Sequence, residues 1–147
     1  MAYEFRQRRM VEFAETDMAG ILHFANYFRY MEEVEHAFFR SLGLSVHSGR
    51  AHPETGITYG WARGKAECSY HAPLRYEDTV ELHILVREKR AKSIRYEIRF
   101  LKDNTEVARG NVVAVCVALP RAGERMRATT MPAEVRAALD EAPAAPG

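Results

Sequence analysis

The sequence predicts an α+β domain in which one long central helix is wrapped by an antiparallel β-sheet. Two patterns carry that prediction. Residues 24 to 42 repeat their apolar side chains every three and four positions, the period of a helix. Much of the chain after residue 57 repeats them every second position instead, the period of a strand buried on one face. One helix followed by a run of strands places the helix against one face of the sheet.

The elements follow in order. Residues 3 to 13 read as a first strand, with Tyr3, Phe5, Val11 and Phe13 on one side, and Ala14 to Gly20 is turn-rich. In the helix, Phe24, Tyr27, Phe28, Met31, Val34, Phe38 and Leu42 make a broad aromatic stripe that calls for burial, and Gly43 ends it. Ser45 to Thr55 is a loop, and the period-two pattern starts near Ile57. Val80, Leu82, Ile84 and Val86 alternate with Glu81, His83, Leu85 and Arg87; Ile94, Tyr96, Ile98 and Phe100 alternate with Arg95, Glu97, Arg99 and Leu101. Asp103-Asn104 supplies a hairpin turn. Over residues 111 to 119 the valines 113, 115 and 117 share a face with Leu119. Val112, Ala114, Cys116 and Ala118 make a smaller opposite face, suited to close packing of another element. A short helix is expected from Pro132, with proline in its first turn. One strand, one buried helix and about four long strands make the hotdog arrangement. Residues 1–141 form the single domain, and 142–147 an Ala/Pro tail expected to be disordered.

A chain of 147 residues buries a substantial core as one domain. Its net charge of +1 gives no global field toward nucleic acid or an anionic membrane, so an anionic ligand has to be met by a local basic cluster. No apolar run approaches the roughly 20 residues of a membrane span, and the start of the chain, Met1 to Arg6, lacks an apolar signal core. Cys68 and Cys116 form no CxxC pair. These features predict a cytoplasmic protein without disulfides, and neither nucleic acid nor membrane as partner.

The stretch richest in chemistry is Glu15-Thr16-Asp17-Met18-Ala19-Gly20-Ile21-Leu22-His23-Phe24-Ala25-Asn26-Tyr27. It sets an acidic residue in a glycine-containing loop just before the helix. Thioester hydrolysis needs an activated water or nucleophile, and donors where negative charge grows on the carbonyl oxygen. A helix N-terminus offers such donors, because its first N–H groups lack intrahelical partners. Spacing alone also admits Asp17 as a helix cap.

The segment D-x-A-G-I-x-x-F-x-N-Y at Asp17 to Tyr27 resembles the active-site signature of the 4-hydroxybenzoyl-CoA thioesterase family. Val11-Glu12-Phe13, the strand start Lys92-Ser93, Gly123 to Ala128 and Met131-Pro132-Ala133 fit that family as well, so the resemblance runs from about Arg9 to Leu139. It implies a hotdog fold and a homodimer or homotetramer with active sites at the subunit interface. It also implies Asp17 as the catalytic nucleophile or general base, and the backbone N–H of Phe24 as the group that polarises the thioester carbonyl. Two positions depart from the pattern: His23 stands where relatives often carry Trp or Tyr, and Phe24 where tol-pal-associated thioesterases commonly carry His. His23 and Tyr27 are expected at the acyl pocket, His23 either as part of its wall or in proton transfer.

Coenzyme A carries a diphosphate and a 3′-phosphate, which call for Arg or Lys with reach. Arg90 and Lys92, with Arg125 and Arg127, are the candidates, in segments where the family places its phosphate-binding residues; each also suits a solvated charge run. Neither a metal nor a separate cofactor is expected, coenzyme A being part of the substrate. Glu32 and His36 have i,i+4 spacing without a second cluster to complete a metal site. The leading expectation is therefore hydrolysis of an acyl-CoA, aromatic or short-chain, to free acid and CoA. Its rivals are a non-catalytic acyl-CoA or acyl-carrier binding module and a dehydratase acting on 3-hydroxyacyl-CoA. The acyl preference stays open, since Phe24, Tyr27, Phe28 and Trp61 suit either pocket.

Overall fold

The computed structural model describes residues 1–144. The chain runs through β1 (Glu4–Met10), α1 (Phe24–Ser41), β2 (Tyr59–Tyr70), β3 (Thr79–Lys89), β4 (Ser93–Lys102) and β5 (Thr105–Ala118). A two-residue β6 (Arg127–Ala128) and a short α2 (Ala133–Ala138) follow. All strand pairs are antiparallel, in the order β1-β3-β4-β5-β2, with β6 on the end of β5. One 18-residue helix against one sheet is the hotdog fold.

The predicted periodicities map directly onto the core. Val80, Leu82, Ile84 and Val86 of β3 and Ile94, Tyr96, Ile98 and Phe100 of β4 are all buried. Against them α1 buries Tyr27, Tyr30, Met31, Val34, Phe38 and Phe39. The small face of β5 lets the helix approach: a Cβ at Gly110 would lie 2.1 Å from Met31 Sδ. Asp103 and Asn104 both have positive φ, 50° and 63°, as a two-residue hairpin turn requires.

Four details differ from the sequence reading. The first strand stops at Met10. Glu12 and Glu15 form a capping box around a 3-10 turn at Phe13–Glu15, which turns Phe13 outward to 75% exposure, edge-on to Tyr76. Phe24, counted in the apolar stripe, is 63% exposed at the helix start. β6 is too short to leave a periodic signature. The chain also stays attached two residues into the expected tail, where Ala142 N–H donates to the Val86 carbonyl and Arg87 donates to that of Pro143; residues 145–147 of that tail lie outside the described residues.

β2 contains an irregularity that bears on the site. Its register against β5 shifts between Arg63 and Lys65, so Gly64 is an extra residue in the ladder. Before it, odd-numbered residues face α1: Trp61 packs edge-on to Phe39 and Arg63 pairs with Glu35. After it, even-numbered ones do: Ala66 lies across from Phe28 and Tyr70 against Tyr27.

Candidate active site

Asp17 sits in a tight turn directly ahead of α1. Its N–H donates to the Ile21 carbonyl at 2.9 Å, and Gly20, at φ 79°, donates to the Asp17 carbonyl at 2.9 Å. Side-chain Oδ1 accepts from Ala19 N–H at 2.8 Å and, at 3.5 Å, from Ile21 N–H. Oδ2 has no partner among the described residues.

A network absent from the sequence reading fixes this turn. The Glu15 carboxylate accepts from Arg9 at 2.9 and 2.6 Å, from Tyr30 Oη at 2.6 Å and from Glu12 N–H at 2.9 Å. The Glu15 carbonyl accepts from His23 N–H at 3.0 Å and from Asn26 Nδ2 at 2.8 Å. The first turn of α1 is thereby tied to the residue two places before Asp17. Burial works to raise the Glu15 pKa, but the Arg9 and Tyr30 hydrogen bonds outweigh it and hold the carboxyl below its ordinary value. The arginine also lies over the Tyr30 ring, 4.4 Å from its centroid. Asn26 belongs to the motif; Arg9, Glu15 and Tyr30 lie 6 and 15 residues apart in sequence and converge only through the fold.

His23 is the N-cap of α1. Its Nδ1 accepts the Ala25 N–H at 3.1 Å, and its ring stacks on Phe24 with centroids 4.6 Å apart. The Asn26 N–H is taken by the His23 carbonyl. The Phe24 N–H is left without a partner among the described residues, at the positive end of the helix.

Asp17, Phe24 and Tyr27 border one open cavity of about 460 Å³, together with Ile21, Leu22, Tyr70 at the end of β2 and the following His71, Ala72 and Pro73. His23 does not line it. Tyr27 packs edge-on to Tyr70 and tilted against Phe100, and burial pushes its hydroxyl up to about 12. Tyr70 donates to the Phe24 carbonyl at 3.3 Å; its place here follows from the phase change at Gly64, which alternation read along the sequence does not show.

The four predicted basic residues come together elsewhere. Arg90 and Lys92 occupy the β3–β4 turn. That turn is stitched to the segment after β6 through Cys116 N–H to Lys92 O, Thr129 N–H to Cys116 O and Met131 N–H to Ala91 O. Arg125 and Arg127 line a neighbouring polar cleft with Arg121 and Glu124. All four are exposed, and Arg90 bonds Glu88 at 2.6 Å. This basic end and the Asp17 end lie at opposite ends of the sheet, separated by the ten residues of β4, about 30 Å.

The hotdog domain thus carries one cavity bordered by both Asp17 and Phe24, whose Oδ2 and N–H have no partner among the described residues. The sequence pattern of the Thioesterase-like superfamily matches residues 11–139, and the chain belongs to that superfamily. A curated Aquifex aeolicus protein named "Putative esterase" is 36% identical over 107 residues, 73% of this chain and 80% of that one. Among solved structures, a gentisyl-coenzyme A thioesterase matches at 29% identity with a TM-score of 0.75, covering 92% of this chain and 98% of its own. The 4-hydroxybenzoyl CoA thioesterase of Pseudomonas sp. strain CBS-3 matches at 25% identity with a TM-score of 0.80, covering 93% and 99%. No helix among the described residues is long and apolar enough to cross a membrane.

Proposed function

We propose that this protein hydrolyses acyl-CoA thioesters to the free acid and CoA at the cavity bordered by Asp17 and Phe24. The observation that carries the reading is that Asp17 and Phe24 border the same cavity, while Asp17 Oδ2 and the Phe24 N–H have no partner among the described residues. In the general-base form, Oδ2 takes a proton from water as the water oxygen adds to the carbonyl carbon. The carbonyl oxygen becomes an oxyanion facing the Phe24 N–H. Collapse breaks the carbon–sulfur bond, and the proton held by Asp17 passes to the leaving CoA sulfur. In the nucleophilic form Oδ2 itself adds to the carbonyl, and collapse breaks the carbon–sulfur bond. CoA leaves as its thiolate, which takes a proton from solvent, and water then hydrolyses the mixed anhydride to the free acid and Asp17. After a single turnover in ¹⁸O-water, label in Asp17 would establish the second form with water attacking the Asp17 carbonyl carbon. Where water attacks the acyl carbon, trapping of the acylated Asp17 would establish it. Neither form calls on a metal or redox cofactor.

Tyr27 walls the acyl cavity with a neutral hydroxyl, and His23 acts by capping the helix whose first N–H meets the substrate. Arg90, Lys92, Arg125 and Arg127 hold the CoA phosphates. About 30 Å separates them from Asp17 within one chain, so the reading takes the working unit as a homodimer or homotetramer in which the basic end of one copy serves the Asp17 of another. β2, with twelve residues the longer of the two edge strands, is the edge we assign to such pairing. The cytoplasm is the proposed compartment.

The test is CoA release from benzoyl, hydroxylated aryl and graded aliphatic CoA esters, by wild type and Asp17→Asn. The variant should keep its fold and lose about 10²–10⁴-fold in kcat, the usual worth of a general base. Full activity in the variant would remove Asp17 from the mechanism. Tight CoA binding with no turnover of any ester would make the protein a binding module.

A further inference from the structure

The segment joining α1 to β2 is held loosely by the rest of the protein. Leu44 and Val46 pack against the core, as do Tyr59 and Trp61 further on, but no apolar side chain from 47 to 57 does so. Beneath this stretch lies a cavity of about 450 Å³, bordered by Val46, Pro53, Tyr59, Trp61 and Val135. A segment with few buried apolar contacts belongs to the least stable part of a fold.

Its polar ties are as few. His52 N–H donates to the Ile57 carbonyl and Gly56 N–H to that of His52, both at 2.8 Å, so the tip closes on itself. Among the described residues, two side-chain bonds lead out of residues 48–57. In one the Tyr59 hydroxyl donates to Thr55 Oγ1 at 3.1 Å, four residues away in the chain. The other spans 82 residues and joins His52 Nε2 to Glu134 Oε1 at 2.7 Å. His52 Nδ1 accepts the Glu54 N–H at 3.2 Å, which leaves the ring proton on Nε2 to be donated to Glu134. Glu134 is a firm anchor, because Met131, Val135 and Leu139 are buried in and around α2. The same stretch also walls a second space. Ala51, Gly56, Ile57 and Thr58 border the polar cleft that carries Arg121, Arg125 and Arg127, so moving them away takes one side off that cleft.

We infer that residues 48–57 form a strap that opens as a unit, that the His52–Glu134 pair is the latch holding it shut, and that a ligand in the basic cleft keeps it shut. The inference rests on the thioesterase reading only in naming CoA as that ligand. Latch and ligand act on one equilibrium. Breaking the latch raises the open population, and the ligand lowers it according to its occupancy.

Trypsin cleavage after Arg50 in the purified full chain tests this, since cutting follows the open population when opening and closing are faster than cleavage. His52→Ala and Glu134→Ala should each speed the cut about three- to fivefold, the usual effect of losing one partly exposed bond. The double variant should be no faster than either single one, because both remove the same interaction. The rate should depend only weakly on urea, as opening the strap exposes far less surface than unfolding the domain. Unchanged rates in both single variants, or a urea slope equal to that of global unfolding, would overturn the inference. CoA at ten times its Kd, fixed by calorimetry, should slow the cut about tenfold in the wild type. CoA bound without protection, or no CoA binding at all, would overturn the coupling to the cleft. Latch-dependent cleavage and CoA protection with no turnover of any ester would keep the strap and sink the thioesterase. Ester turnover with cleavage indifferent to the latch would sink the strap and leave the enzyme.

Discussion

Glu15 sets the geometry of the site while lying outside the cavity. Its carboxylate gathers Arg9, Tyr30 and the Glu12 N–H, and its carbonyl gathers His23 and Asn26. Its pKa is lowered in the folded chain, against the pull of burial, by the bonds from Arg9 and Tyr30. The stability this confers is therefore fully present above the ordinary carboxylate value of about 4.3 and is lost as pH falls through the folded value below it. Glu15→Gln should cost about 1–3 kcal/mol at pH 7 and flatten the loss of stability as pH falls below the ordinary carboxylate value. Urea midpoints measured at pH 7, 4.5 and 3 check this, and an acid limb as steep as wild type would assign that slope to other carboxylates. As a positioning residue Glu15 should also lower kcat more than it raises KM, which a purely structural role would not require. At this scale the sequence was legible only in part. Asp17, Phe24 and Tyr27 stand together within the motif and meet on one cavity. Arg9 and Tyr30 do not, because local spacing carries no record of which side chains a turn brings face to face. The capping by His23 was equally hidden, since a histidine before a helix reads as readily as a pocket wall.

Elements show where period is a sufficient guide and where it fails. β4 keeps one phase from Ile94 to Phe100, and β3 and β5 do so away from their own register shifts, after Val86 and at Val107, so alternate residues of all three enter the core over those stretches. The small face of β5 was visible in Val112, Ala114 and Cys116, and Gly110 extends it to where Met31 of α1 fills the space a side chain would take. Gly110→Ala should thus destabilise by about 1–3 kcal/mol, the usual cost of overpacking, because the new methyl group meets Met31 Sδ and lies 3.3 Å from the Glu67 carbonyl. Equilibrium unfolding in urea measures it, and a neutral result would mean that Met31 swings aside instead. β2 was the least legible strand, since its inward face changes from odd to even residues at Gly64. The first strand misled for a related reason: Phe13 keeps the alternation in sequence after the chain has left the sheet through the Glu12–Glu15 capping box.

For the whole molecule, the separation of the basic end from the Asp17 end makes a mixing experiment decisive. Asp17→Asn retains the basic residues, and a variant with Arg125→Ala, Arg127→Ala and Lys92→Ala retains the carboxylate. If each site draws on two copies related by a twofold axis, the pair should be nearly inactive apart at low substrate. Unfolded and refolded together, they should regain about a quarter of wild-type activity, since half the dimers are mixed and each has one intact site. No recovery, with mixed dimers present, would place both groups of residues at one site within a single chain. The fold class was readable from one helix and a run of strands, whereas the distance between the two residue groups depends on strand order and register, which periodicity does not encode.

The bulge at Gly64 has a consequence for how such proteins diverge. Gly64 is the unpaired residue, so a chain that lacked it would keep Arg63 opposite Ala114 and Lys65 opposite Val113. Plain alternation would then still turn Ala66, Cys68 and Tyr70 toward α1. A one-residue loss at this point is therefore silent for the lining of the groove between α1 and β2, whereas a loss elsewhere in the strand would reverse which side chains face it. A relative without the extra residue is aligned correctly only when its gap falls at Gly64.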